Sequence, residues 1–415
     1  MYKVTVIIPN YNGLRFMELC MPALAAQTFT SFELLIVDNG SSDGSVDYLR
    51  ALEKTGLPLS DQRGVIPVRL LLLAENTGFS GAVNAGISHT GADYVLLLNN
   101  DTKAEPGFLK ALVKVMDADL DHHIFAVSPK MVQLYHPDLL DDAGDGYNLL
   151  GWAFQRGVGQ GIHTPRFNRG AYIFSACAGA SLYRRAQLEA IRFPDSVLTF
   201  PLLDASVGPS GSVDSFGSVN LEGKTAARTS VPLSGIAASP AAPSPERRSN
   251  SANAGSPAKL VCGEYFDQQH FAYLEDVDVS YRAAIHGAKV YYCPEAVIHH
   301  VGSGTSGSKY NAFKVRLAAR NNVYLNYKNM PLLQLLLNLP GIAAGVLIKA
   351  VFFWKKGFGK EYCNGFLEGV RTLPDCRKVK FRLAHLPHYI RIEWMLLCGT
   401  LSYAGDFLRR HLRKQ

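Results

Sequence analysis

The amino-acid sequence predicts an α/β protein with a mostly parallel central sheet and helices on both faces. Three observations carry this. Strand, polar loop and helix alternate four times from Val4 onward, the pattern of right-handed βαβ units. The strands are continuous apolar runs, as expected of strands buried on both faces. Each run stops at a polar cluster: Pro9-Asn10-Tyr11-Asn12, Asp38-Asn39, Glu75-Asn76 and Asn99-Asn100-Asp101. In a parallel sheet those four ends share one edge, where open α/β sheets bind ligands.

Val4–Ile8 is a β-branched strand stopped by Pro9, and a helical pattern follows over Leu14–Ala26. Phe32–Val37 is the second strand, Ser45–Lys54 the next helix, and Val68–Leu73 the third strand. A helix over Ser80–Ser88 leads to the central strand, Tyr94–Leu98. Past its end, the Asp101 carboxylate flanked by amides suits a hard divalent cation carrying phosphate oxygens; it equally suits a turn capping a helix that starts near Glu105. Tyr11 is placed to lie against a planar base, or to cover the sheet edge. Asp38 is placed to accept hydrogen bonds from a ribose or base edge, or to form the turn before Gly40. Gly78, Gly81 and Gly86 do not fit G-x-G-x-x-G, so no dinucleotide fingerprint is present. Further on, Phe108–Met116 reads as a helix, Phe125–Val127 as a short strand, and Arg184–Ile191 as a helix. The glycine-rich stretch 141–170 reads as loops reaching over the sheet edge.

Residues 204–258 are of another material: 34 of these 55 are Ser, Ala, Pro or Gly, with no sustained apolar period. A disordered insertion is expected at about 196–261, because such a segment cannot bury enough surface to offset its ordering entropy. Closure entropy grows only logarithmically with length, so the fold tolerates it. After it, Leu274, Val277, Tyr281 and Ile285 have helical spacing, which puts Glu275, Asp276 and Asp278 in a first turn. The helix dipole favours anions there, and crowding of three acids raises a carboxyl toward the range of a working base. Lys289–Cys293 is a strand, and His299-His300 at its exit are ligand candidates.

Asn311–Lys328 reads as an amphipathic helix. Between Pro331 and Ile348 no charge occurs, about the lower limit for a membrane span. Pro340-Gly341 breaks the run and predicts helices lying in one leaflet rather than a full crossing, with a core helical hairpin as the plainer alternative. Phe352, Phe353 and Trp354 beside Lys355-Lys356 suit an interfacial anchor. Net charge is +7, and residues 355–415 alone hold 13 Lys or Arg against 5 Asp or Glu. That excess fits an anionic membrane surface, or a solvated basic face, better than a nucleic-acid groove. Seven scattered cysteines without a C-x-x-C pair argue against a zinc site or disulfide framework and for a reducing cytosol. No basic and apolar leader precedes the first strand, so no signal peptide is expected.

Taken in order, Val6-Ile7-Ile8-Pro9-Asn10-Tyr11-Asn12-Gly13, Val37-Asp38-Asn39-Gly40-Ser41-Ser42-Asp43-Gly44-Ser45, Glu75-Asn76-Thr77-Gly78-Phe79-Ser80-Gly81, Leu98-Asn99-Asn100-Asp101-Thr102, Tyr273-Leu274-Glu275-Asp276-Val277-Asp278 and His299-His300 resemble the family 2 glycosyltransferases of GT-A fold, most closely the rhamnosyltransferase-like branch. The resemblance covers about residues 3–330, the insertion apart; a catalytic domain is expected over residues 1–330, and the apolar, then basic residues 331–415 are expected to form a helical, membrane-associated tail. It implies inverting transfer from a nucleotide-diphospho-sugar to a glycan or lipid-linked acceptor in cell-surface polysaccharide synthesis, on the cytoplasmic side of the inner membrane, with no nucleic-acid partner. Pro9, Asn10, Tyr11, Asn12, Asp38, Asn76, Asn84, Asn99, Asn100 and Asp101 would hold the donor. Asp101 and His300 would ligate Mg²⁺ or Mn²⁺, Asp276 would be the base, and Glu275 would contact the acceptor. Two alternatives remain: a nucleotidyltransferase, which would want lysine in the loop where Asn10-Tyr11-Asn12-Gly13 stands, and a non-catalytic binder on the same fold, against which Asp101 and the Glu275-Asp276 pair argue.

Overall fold

The computed structural model describes residues 2–62, 64–203, 258–302 and 310–412. The chain opens with β1 (Val4–Asn10), α1 (Leu14–Ala25), β2 (Phe32–Asn39) and α2 (Ser45–Thr55). A small ribbon, β3 (Leu57–Pro58) with β4 (Val65–Ile66), leads to β5 (Val68–Leu73), α3 (Gly78–Ser88) and β6 (Tyr94–Leu98). These expected elements lie within two residues of their expected ends. The four long strands pair in parallel in the order β5-β2-β1-β6, with Asn10 opposite Asp38 and Val4 opposite Tyr94. Period-2 alternation explains why the strands are apolar throughout. Val4, Val6 and Ile8 of β1 face Met17, Met21 and Leu24 of α1, while Ile7 faces Ala82, Val83 and Ala85 of α3. Gly86 is glycine because a Cβ there would collide with Ile7.

The second half adds β7 (Thr102–Ala104), α4 (Phe108–Ala118), β8 (Ile124–Gln133) and β9 (His136–Asp142). It continues through the hairpin β10 (Asp145–Tyr147) and β11 (Ala153–Gln155), then β12 (Ala171–Ile173), β13 (Ala180–Arg184) and α5 (Arg185–Ile191). Next come β14 (Phe193–Pro201), β15 (Lys259–Glu264), α6 (Glu275–Ile285) and β16 (Lys289–His300). The main sheet runs β12-β16-β8-β13-β6-β1-β2-β5. β13 is antiparallel to both β6 and β8, while β16 is parallel to β8. The short strand expected at Phe125–Val127 is thus ten residues long; Ser128 and Pro129 interrupt its apolar run, and the β16 register shifts opposite them.

The insertion is narrower than about 196–261. Its edges form an antiparallel ribbon in which Leu198 faces Cys262 and Phe200 faces Leu260, and Leu202 bridges to Leu73 of the main sheet. Residues 204–257, on which the expectation of disorder mostly falls, lie outside the described residues.

Four helices close the chain: α7 (Ala312–Asn329), α8 (Leu332–Lys355), α9 (Gly359–Arg371) and α10 (Leu386–Leu412). The break expected at Pro340-Gly341 is absent, and α8 is one helix of 24 residues. Proline removes one N–H from the ladder, leaving the carbonyl four residues back. That residue is Leu336, and both it and Pro340 face outward, where the carbonyl is open to solvation.

A buried charge network fastens α7 to α6. The Lys328 ammonium, closed to solvent, contacts Asp267 and lies 3.0 Å from Asp278. Asp278 also accepts from Arg282 Nε at 3.1 Å and Asn329 Nδ2 at 2.8 Å. Burial opposes the Asp278 charge, but the Lys328 and Arg282 cations hold its carboxyl well below the usual range. Removing one partner strands the others. Lys328→Met is expected to cost about 3–5 kcal/mol in urea unfolding, with part recovered in Lys328→Met/Asp278→Asn.

Candidate active site

The carboxyl ends of β1, β2 and β6 bring three of the expected donor-site residues into one buried line. Asn100 Nδ2 donates to Asn10 Oδ1 at 2.8 Å, and Asn10 Nδ2 donates to Asp38 Oδ2 at 2.8 Å. The other Asp38 oxygen accepts from the Ser41 N–H at 3.0 Å. Asp38 and Asn10 are closed to solvent with their polar atoms engaged, so here they shape the loops from beneath. A nucleotide reaches Asp38 only by displacing Asn10 or Ser41. Gly13 packs so close to Asn100 and Asn10 that a Cβ there would collide with both. Tyr11 is 41% exposed, Asn12 and Asn76 are exposed, and Asn99 and Pro9 are partly open. Asn76 Oδ1 accepts from Asn39 Nδ2 at 3.1 Å and Gly78 N–H at 2.9 Å, which ties the β2 and β5 loops together.

Asn84 is a correction. It is fully buried in α3, where Oδ1 accepts from the Tyr265 and Phe266 N–H groups at 3.0 and 2.9 Å, and Nδ2 donates to the Phe266 carbonyl at 2.7 Å. The contacts its amide makes anchor residues 265–266, and the side chain is closed to solvent.

β16 pairs with β7 so that His300 lies opposite Thr102, and Val301 N–H bonds the Asp101 carbonyl at 3.0 Å. That register sets His300 Nε2 3.4 Å from Asp101 Oδ1, while Nδ1 lies 2.7 Å from Asp141 Oδ2. Burial alone would lower the imidazole pKa, but the two carboxylates push it up to about 10. Asp101 and a deprotonated His300 would be the ligands of a small divalent ion here, with Asp141 orienting the ring from behind. The residues present fit such an ion. His299, the other candidate, turns to Glu105 at 2.9 Å.

The acid pair stands at the head of α6 after a strained loop. Phe271, Tyr273 and Leu274 carry φ of 62°, 69° and 69°, left-handed values that cost a non-glycine residue roughly 1 kcal/mol or more each. Asn321 of α7 holds this loop: its Nδ2 lies 2.9, 2.8 and 2.8 Å from the carbonyls of His270, Ala272 and Tyr273. Arg320 donates to the Gln269 carbonyl at 2.9 Å. Asp276 then accepts from the Val277 N–H at 2.8 Å and the Ala178 N–H at 3.3 Å. Gly179, next to Ala178, accepts from the Asn99 N–H at 2.8 Å, so the turn before β13 links Asp276 to the β6 loop that ends in Asp101. Burial raises the Asp276 pKa. Glu275 is buried, with Oε2 unpartnered among the described residues, and burial followed by the Asp276 charge raises it well above the usual range.

Asp141, Asp142 and Asp145 were not singled out from the sequence. The signal was the acid run inside the glycine-rich stretch, hidden because its loop has no periodicity. Asp145 pairs with Ser175, whose Oγ donates to the Asp276 carbonyl at 3.1 Å. Asp142 is fully buried with no hydrogen bond to either oxygen among the described residues, and burial, then the Asp141 charge, pushes it up to about 7.

A second cluster, Asp267, His270 and Asp278, has the spacing of a metal site. Its cation is already present as Lys328, in contact with both carboxylates, and burial, then Lys328, lowers His270 to about 4. It is structural.

The parallel sheet, the loop-borne amides and carboxylates at one edge, and the acid-headed helix beside them make this the GT-A type of α/β fold. Residues 5–190, from β1 to α5, match the family described as Glycosyl transferase family 2. The match ends before Asp276 and His300. Over 140 residues the chain is 29% identical to an uncharacterized glycosyltransferase, alr2836, of Nostoc sp., spanning 34% of this chain and 38% of that one. Over 122 residues it is 35% identical to the undecaprenyl-phosphate 4-deoxy-4-formamido-L-arabinose transferase of Sodalis glossinidius, spanning 29% and 35%. The chain thus matches little more than a third of the length of these relatives. The crystal structure of S. aureus TarS 1–349 in complex with UDP superposes with a TM-score of 0.46 at 14% identity, over 97% of this chain and 92% of that one. That superposition is loose and defines no ligand.

Asp142 makes stability depend on pH. Its folded pKa of about 7 lies above the unfolded value near 4, so the fold favours the neutral form. That contribution is full below pH ~4 and is lost as pH rises through 7. Asp142→Asn, neutral at every pH, is expected to gain stability relative to the parent between pH 4 and 7, on the order of a few kcal/mol, in urea titrations at stepped pH.

Proposed function

We propose that this protein is an inverting glycosyltransferase that moves a sugar from a nucleotide-diphospho-sugar to a hydroxyl of a glycan or lipid-linked acceptor. The work is done at the cytoplasmic face of a membrane, in cell-surface polysaccharide synthesis. The observation that carries the reading is the line Asp101–His300–Asp141 at the sheet edge, joined through Asn99, Gly179 and Ala178 to Asp276. A hexosyl donor, and a rhamnosyl one by motif resemblance, is its finer form.

The donor lies across the edge, with Tyr11 against the base and Asn12, Asn76 and Asn99 along the loops above the Asn100–Asn10–Asp38 line. Asp101 and His300 would hold Mg²⁺ or Mn²⁺, which supplies positive charge to the diphosphate as it departs. Asp276 takes the proton of the acceptor hydroxyl as that oxygen attacks the anomeric carbon from the face opposite the diphosphate. The carbon–oxygen bond to the diphosphate breaks with its electron pair on the leaving oxygen, and configuration inverts. The Val277 and Ala178 N–H groups hold the Asp276 carboxylate in place. Glu275, one residue earlier, would contact the acceptor.

Asp276→Asn should abolish transfer, by at least 10³-fold, while nucleoside diphosphate binding by calorimetry is unchanged; near-parental turnover refutes the base role. Excess chelator should stop transfer and added Mn²⁺ or Mg²⁺ restore it. Full activity in chelator removes the ligand roles of Asp101 and His300.

A further inference from the structure

Two of the closing helices turn an unpartnered apolar face away from the catalytic domain. Their inner faces are sewn down. On α8, Gln334 and Asn338 donate to Glu393 of α10 at 2.8 and 3.0 Å, and Tyr281 of α6 lies 3.3 Å from Gln334. Gly341 and Gly345 bring α8 so close to the Leu149 and Leu150 carbonyls that a Cβ on either would collide with them. On α10, Gly399 meets the Tyr147 carbonyl in the same way, and Thr400 accepts from the Leu149 N–H at 3.0 Å. Asp406 pairs with Arg166 at 2.6 Å.

The outer faces are different. Leu333, Leu336, Leu337, Leu347, Ile348 and Val351 of α8 are all exposed. So are Ile390, Trp394, Leu397, Leu401 and Leu408 of α10, which recur at helical spacing. Among the described residues α8 alone is long and apolar enough to cross a membrane, at about 36 Å. A crossing would pull Gln334, Asn338 and both glycines off the domain and leave the Glu393 carboxylate without those donors.

The charge around this face selects its occupant. Lys355, Lys356, Lys360, Lys380 and Arg382 are exposed, whereas of the five acids of the same tail three are spent inward, Glu368 on Arg316 and Arg320, Asp406 on Arg166 and Glu393 on the α8 amides, with Asp375 exposed and Glu361 half-buried. Trp354, 75% exposed, sits beside Lys355 and Lys356 as interfacial aromatics do.

We infer that α8 and α10 together form a monotopic membrane face, lying in the headgroup layer of an anionic leaflet without crossing it. This deepens the membrane association proposed above and is independent of the transfer chemistry. The hairpin β10–β11, which carries Asp145 toward Ser175 and Asp276, is the part of the domain these helices hold. Docking therefore brings that hairpin up to the lipid surface.

The chain carries its own probes. Of its three tryptophans, Trp354 and Trp394 are on the outer faces, the latter 64% exposed, and Trp152 is buried. The full chain is expected to float with phosphatidylglycerol-containing vesicles and not with pure phosphatidylcholine, with blue-shifted emission quenched more by lipids brominated near the headgroup than near the chain ends. Leu336→Glu/Leu401→Glu, which alters outward side chains only, should weaken binding at least tenfold with unchanged thermal unfolding and unchanged nucleotide binding. Strongest quenching at the bilayer centre would establish a crossing and overturn the proposal. Absence of binding to any vesicle, equal binding by the double variant, or a parental dimer that the double variant dissociates would overturn it as well.

Discussion

The arrangement depends on one buried ammonium. Lys328 near the end of α7 sits between Asp267 and Asp278, and through them it fixes where α6 begins. Two carboxylates at that distance would repel each other in a low-dielectric interior, and the cation makes their approach favourable. Arg282 and Asn329 complete the satisfaction of Asp278. With α6 fixed, its first residues Glu275 and Asp276 have only one place to be.

The same helix α7 pays out the conformational cost of the loop before them. Left-handed backbone at Phe271, Tyr273 and Leu274 persists because Asn321 and Arg320 take up the carbonyls that the turn exposes. Strain of this kind concentrates where a side chain must be aimed rather than merely buried. On the other side of the cleft, sheet register does the aiming. β16 lies against β7 and β8 so that His300 ends beside both Asp101 and Asp141. One acid is therefore placed by a helix with its buried charges, and the histidine by a strand with its hydrogen bonds.

The first hundred residues were almost wholly legible. Their strands are local apolar runs, their helices have one period, and the polar stops between them carry the motifs. Legibility failed where the determining contact is distant in sequence. Asn84 carries a motif-like position but spends its amide on residues 265–266, which no local pattern reveals. Pro340 suggests a break in α8, yet the packing of Gly341 and Gly345 against residues 149–150 keeps one axis on both sides of it. Asp141, Asp142 and Asp145 stand in a stretch without periodicity, and only the hairpin beside them brings them to the site.

By itself the sequence determined the α/β class, the edge of the sheet at which ligand chemistry gathers, and the residue types that chemistry uses. Those follow from hydrophobic period and turn chemistry, which act over a few residues. Tertiary structure decided which of those residues face the cleft and which lie beneath it, that Asp141 backs His300, and that Lys328 fills what would otherwise be a second cation site. These depend on strand register and on helix docking between segments far apart in the chain, as with Leu149 and Thr400, 251 residues apart, and no local pattern of side chains encodes either.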